Sequence, residues 1–131
     1  MTLDEAIALV LEEGMRTEPV PDDAMAMILH GGYEPTDAHI DPLIEALRTI
    51  QQGLEGQPLL DRDLAAALWI LGIEASMCLN LNSPQEDGTW KTGAASDKIM
   101  DLMTAVESVF WDGWFVEDRH KGEVIHGDSA A

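Results

Sequence analysis

Cysteine, aromatic residues and positive charge are all scarce in this chain, and each scarcity removes a class of structure or activity. Cys78 is the only cysteine, so no intrachain disulfide can form and nothing in the cysteine usage points to an oxidising compartment. Aromatic residues make up 5% of the chain against a hydrophobic fraction of 46%. The core must therefore be built from Leu, Ile, Val, Met and Ala, a mixture that favours helices over strands.

Seven basic residues face 25 acidic ones, for a formal charge of −18. The excess is spread out: residues 1–63 carry 14 acidic and 3 basic groups, and residues 64–131 carry 11 and 4. Such a field repels nucleic acid phosphates and anionic membrane surfaces, and it favours solubility and a basic protein partner. Long apolar runs are also missing. The most apolar stretch, Leu64 to Ile73, has about half the length needed to cross a bilayer. The start, Met1-Thr2-Leu3-Asp4-Glu5, has no basic n-region of a signal peptide. A cytoplasmic location is the expectation.

With 131 residues, the chain has the size of one domain with one core. Thr2 followed by Glu5 is a capping-box pattern, and Leu3, Ile7, Val10 and Leu11 form a stripe ending at Gly14, which predicts a helix over 3–13. Pro19-Val20-Pro21 breaks the chain before a short helix, Ala24–His30, which stops at Gly31-Gly32. Asp41-Pro42 reads as the start of a third helix over 42–52, although Thr36 could open an earlier turn. Asp61 caps a fourth helix that is apolar at nearly every position from Leu64 to Leu71, the pattern of a central helix near residues 62–79 buried on most sides.

Residues 80–95 lose all periodicity and read as the longest loop. Ser96 then caps a fifth helix whose apolar face is Ile99, Met103, Val106 and Phe110, with Asp97, Asp101, Thr104, Ser108 and Asp112 opposite. The fold expectation is an all-α single-domain bundle of about five helices over 1–116, followed by a polar, loose tail over 117–131. Glu123–His126 is the one late strand-like stretch, too short to build a sheet.

Few residues carry a chemical signature. Asp37, His39 and Asp41 offer two carboxylates and an imidazole within five residues, a weak metal-ligand pattern that serves equally as a loop with helix caps. Asn80, Asn82, Glu86 and Asp87 form an oxygen-rich stretch, but the spacing fails the EF-hand template. Cys78 lies beside Met77 and Leu79 and reads as a small buried hydrophobe rather than a nucleophile. Glu74, the single charge between Asp63 and Glu86, either sits at the helix rim or is buried as a site carboxylate; the rim is expected. No phosphate-binding glycine loop, nucleophile elbow, His-Glu-x-x-His or Cys-x-x-Cys motif is present.

Two features point towards binding. Phe110, Trp111, Trp114 and Phe115 hold four of the seven aromatic residues; on one continuous helix, Phe110/Trp114 and Trp111/Phe115 would pair, one pair closing the core and the other serving as a partner anchor. Asp37, Asp41 and Glu45 form one carboxylate stripe, and Asp97 and Asp101 another. The expected function is a non-enzymatic acidic domain without a cofactor, docking a basic protein through these carboxylates with Trp111, Trp114 and Phe115. Its most concrete form is a cytoplasmic immunity or inhibitor protein that neutralises a toxin or nuclease. Rival expectations are a small metal-dependent enzyme using Asp37, His39 and Asp41, and a homodimeric adaptor joined through the aromatic segment.

Overall fold

The computed structural model describes residues 1–81 and 93–121, which form six helices: α1 (Leu3–Glu13), α2 (Met25–His30), α3 (Asp37–Gly53), α4 (Arg62–Leu81), α5 (Gly93–Trp111) and α6 (Val116–His120). Among the described residues there is no strand. The fold is an all-α bundle around one core. The strand-like 123–126 and most of the oxygen-rich stretch, including Asn82, Glu86 and Asp87, lie outside the described residues.

Local chemistry sets most boundaries. Thr2 Oγ1 accepts from the Glu5 amide while Glu5 Oε1 accepts from the Thr2 amide, both at 3.1 Å, completing the capping box of α1. Asp61 Oδ2 accepts from the Leu64 amide at 3.1 Å and opens α4 as its sequence suggests. The third helix starts at Asp37 behind Thr36, not at Pro42. Pro42 sits inside it and lacks only the amide that would reach Ala38, early enough in the helix to be tolerated. Of the expected 80–95 loop, Asn80 and Leu81 belong to α4 and 93–95 to α5, and 82–92 lie outside the described residues. Ser96 consequently lies within the first turn of α5 rather than at its cap.

The four long helices form a closed ring, with α1 on α3, α3 on α5, α5 on α4 and α4 on α1, while α2 packs on α4 and α6 on α5. Their inward stripes supply a continuous core that includes Val10, Leu29, Ile40, Leu47, Leu68, Leu71, Leu102 and Cys78. Cys78 is fully buried, as its apolar neighbours suggest. The approach of α1 to α4 is tight at Gly14, where a Cβ would stand 2.6 Å from the Ala67 Cβ.

Two helices differ from their sequence reading in which faces they hide. The inward stripe of α4 is Leu64, Ala67, Leu68, Leu71, Ala75 and Cys78, but Trp69 (65% exposed), Ile73 and Met77 form a second apolar stripe that faces outward. An unbroken apolar run masks this one-sidedness, because it satisfies every possible orientation at once. Over Arg62–Asn80 the helix also has the length and mean hydropathy, 1.3, of a membrane span, which the shorter stretch Leu64–Ile73 does not reveal.

Helix α5 is the clearer correction. Its buried apolar residues are Ile99, Leu102, Ala105, Val106 and Val109, whereas Phe110 is 46% exposed; Asp101, Thr104 and Ser108 of the supposed solvent face are buried. The hydroxyls are satisfied within the helix itself, Thr104 Oγ1 donating to the Met100 carbonyl at 2.9 Å and Ser108 Oγ to the Thr104 carbonyl at 2.7 Å. Back-bonded in this way, a Ser/Thr stripe can be covered at little cost.

What covers it is α6, four of whose residues, Glu117–His120, belong to the stretch read as a loose tail. Helix α5 ends at Trp111, Asp112 takes a left-handed φ of 56° and the Gly113 amide returns to the Ser108 carbonyl at 3.1 Å. The chain then doubles back, the Phe115 amide donating to Ser108 Oγ at 3.1 Å.

Candidate functional site

The turn at Asp112 separates the aromatic residues that a continuous helix would have paired. Trp114 packs against the core, with the Arg48 guanidinium 5.6 Å from its ring centroid. Its Nε1 is buried without a hydrogen-bond acceptor among the described residues. Phe115 is half-buried ahead of α6, while Phe110 and Trp111 (55% exposed) stay outside. The outer aromatic surface is thus Phe110 with Trp111, not one of the spaced pairs.

The two carboxylate stripes come together. Because α3 starts at Asp37, the residues Asp37, Asp41 and Glu45 do share a face, all exposed, and α3 lies against α5. Lys98 bridges the helices through Asp41 Oδ1 at 2.8 Å. Its ammonium is held above the usual lysine range first by that hydrogen bond and further by the charges of Asp37 and Asp101. Arg119 of α6 joins the other two: Nη2 lies 2.6 Å from Asp101 Oδ1 and 2.9 Å from Asp97 Oδ1, and also donates to the Asp97 carbonyl at 3.1 Å. The hydrogen bond from Arg119 pulls the Asp97 carboxyl below its ordinary value. Asp101 is buried rather than displayed, and also meets His120 Nε2 at 2.7 Å.

Asp97, Asp101 and His120 have the donor atoms and proximity of a metal site. The Arg119 guanidinium already sits at contact distance from both carboxylates and offsets one of their two charges. The set suggested by the sequence is separated instead, because His39 Nε2 lies 2.6 Å from Glu13 Oε2. That carboxylate also accepts from the Met25 amide at 3.0 Å, capping α2, which has no side-chain cap of its own. Burial pushes the Glu13 carboxyl up, against the opposing pull of His39 and the Met25 amide. Glu74, rather than standing free at the rim, is 18% exposed and receives His30 Nδ1 at 3.0 Å. The two His–Glu pairs hold α2 at both ends.

A surface that sequence reasoning missed lies between α4 and α5. Leu68, Trp69, Gly72, Ile73, Met103 and Phe110 line an open apolar groove with a cavity of about 200 Å³. Its one charged lining residue is Glu107. Met77 and Met100, 50% and 42% exposed, belong to the same outward stripes of α4 and α5. The signal was available: on a helical wheel Trp69, Ile73 and Met77 fall on one stripe, separate from that of Leu64, Leu68, Leu71 and Ala75. No family model, curated protein or solved structure matches the chain.

Proposed function

We propose that this chain is a non-enzymatic acidic binding domain that occupies a basic surface of another protein. The observation that carries the reading is the way its few cations are spent. Arg16, Arg48, Lys98 and Arg119 are each engaged by a carboxylate of the chain itself, in a chain whose formal charge is −18. The exposed row Asp37, Asp41 and Glu45 beside Asp97 concentrates part of that field on the α3–α5 face. Opposite charge on a partner accelerates encounter and suppresses wrong pairings more than it adds affinity. A cytoplasmic immunity or inhibitor protein, neutralising a toxin or nuclease, is the concrete form of this function. The metal-enzyme alternative at Asp37, His39 and Asp41 gains no support, since Glu13 claims the imidazole.

The test is affinity capture from a lysate of the source organism at low salt, eluted by a salt gradient and read by mass spectrometry. A basic protein eluting at a defined salt concentration, and lost from an Asp37→Lys/Glu45→Lys variant, is the expected result. An eluate with no basic protein in it would end the reading.

A further inference from the structure

Where α5 ends, the chain holds a carboxylate at the edge of a small cavity. Asp112 adopts a left-handed φ of 56°, a conformation that glycine takes most easily and aspartate more readily than most residues. Its Oδ2 accepts from the Gly56 amide at 2.8 Å, which ties it to the segment between α3 and α4. Its Oδ1 meets Gln51 Nε2 at 3.5 Å, beyond the ordinary range of an N–H···O bond. Both partners are neutral amides, and among the described residues no cation pairs with this carboxylate.

Gln51, 7% exposed, and Asp112 share the wall of a cavity of about 170 Å³, with Leu54, Leu60, Val109 and Phe110 as its apolar sides. That volume lies below the roughly 300–1,000 Å³ of most small-molecule sites, so it suits one side chain rather than a cofactor or a length of backbone. Asp112 is the one charged residue among the described lining residues, and the charge sits in the wall itself. An anion is repelled there, and a metal ion would find a single carboxylate, well short of a full coordination shell. A guanidinium on an aliphatic stem matches each element. Its fork can donate to Asp112 Oδ1 and to the amide carbonyl of Gln51 together. Its stem suits the leucine and valine walls, and Phe110 adds an aromatic side of the kind guanidinium groups favour. A lysine ammonium would answer the charge alone.

We propose that the cavity between the end of α3 and the end of α5 receives an arginine side chain of the partner protein. This contact rests on the acidic-binder reading and gives it a specific anchor.

The probe is N-acetyl-arginine amide, titrated at about 0.15 M salt and followed by the NMR shifts of the Gly56 amide, the Gln51 side-chain amide and the Leu54 and Val109 methyl groups. A ligand of this size is expected to bind with a dissociation constant on the order of 1 mM. N-acetyl-citrulline amide, which has the same shape without the charge, should bind at least about fivefold more weakly, and N-acetyl-lysine amide at least about twofold. Asp112→Asn keeps an acceptor for Gly56 and tolerates the left-handed turn, and should weaken the arginine probe about three- to tenfold. Asp37 and Glu45 lie about 21 and 9 Å along α3 from Gln51 at the helical rise, beyond the Debye length of about 8 Å at that salt. Asp37→Asn/Glu45→Gln should therefore cost less than about twofold. Unchanged melting temperatures verify that the variants fold, and the citrulline comparison needs no variant.

Equal binding of citrulline and arginine probes would overturn the proposal, as would shifts spread over the acidic surface instead of converging on Gly56 and Gln51. Binding that follows Asp37 and Glu45 but ignores Asp112 would also overturn it, although the acidic-binder reading would survive. Free arginine bound at least about tenfold more tightly than the amide would assign the cavity to the amino acid rather than to a protein side chain, and so overturn it too. An affinity-capture eluate with no basic protein would end the acidic-binder reading, and with it the partner that supplies the arginine, whatever the titration shows.

Discussion

Replacing Arg119 by alanine isolates the contact that fastens α6 to the bundle. Asp101 is 7% exposed, and its Oδ1 takes Arg119 Nη2 at 2.6 Å, Arg119 Nε at 3.1 Å and His120 Nε2 at 2.7 Å. Breaking a buried pair by removing one partner costs about 3–5 kcal/mol, because the stranded charge stays desolvated. Here the imidazole of His120 remains as a partner, and Asp97 is half exposed and recovers water, so the expected loss is about 2–3 kcal/mol. For a domain of this length, that lowers the melting temperature by roughly 6–12 °C.

Arg119→Lys should recover only part of the loss, since an ammonium cannot present the fork that meets both aspartates. The assay is urea unfolding of Arg119→Ala, Asp101→Ala and the double variant at neutral pH. A coupling energy of about 2 kcal/mol is expected between Arg119 and Asp101, and well under 1 kcal/mol between Arg119 and the exposed Asp97. A loss below about 0.5 kcal/mol for Arg119→Ala would mean that the cluster behaves as an ordinary solvated surface pair, and the account of α6 as a docked helix would be wrong.

Gly14→Ala is expected to cost about 1–3 kcal/mol in urea unfolding, because its Cβ would fall 2.6 Å from that of Ala67 and force α1 away from α4. Gly56→Ala, at φ +80° with nothing within 4 Å, should lose only the backbone strain of about 1–2 kcal/mol, a difference that Gly56→Asn should shrink while Gly14→Asn does not. Trp114→Phe removes the buried indole N–H that has no acceptor among the described residues, worth about 1–3 kcal/mol, and so should be near neutral, whereas Trp114→Ala should cost about 3–5 kcal/mol by thermal unfolding. Glu13 has a carboxyl raised by burial above 4.5. The folded state therefore holds this proton more tightly than the unfolded chain, and the contribution is fully present below 4.5 and lost as pH climbs through the raised value. Stability of the wild type relative to Glu13→Gln should fall as the pH rises above 4.5; a flat or rising difference would contradict the burial argument.

Much of this architecture is local and can be read from the chain itself. The capping box at Thr2 and Glu5, the cap at Asp61 and the 3.6-residue stripe of α1 are interactions among near neighbours that fix where α1 and α4 begin, whereas α3 starts five residues ahead of the Asp41-Pro42 signal. Composition set the all-α class, since a core poor in rings and rich in Leu, Met and Ala packs as helices. Orientation was legible only where polar and apolar faces contrast. Helix α4 has no such contrast: a wheel separates its Trp69–Met77 stripe from the Leu64–Ala75 one, but both are apolar, so only the fold shows which faces outward.

Tertiary structure decided what long-range partners decide. Thr104 and Ser108 became coverable through bonds to their own helix, Asp101 through an arginine 18 residues away, and Glu13 through His39 and the amide that opens α2. A polar residue is hidden or displayed according to whether a partner arrives to satisfy it. That partner comes from elsewhere in the fold, so the same carboxylate can read as a docking surface in the sequence and serve as an internal fastening in the bundle.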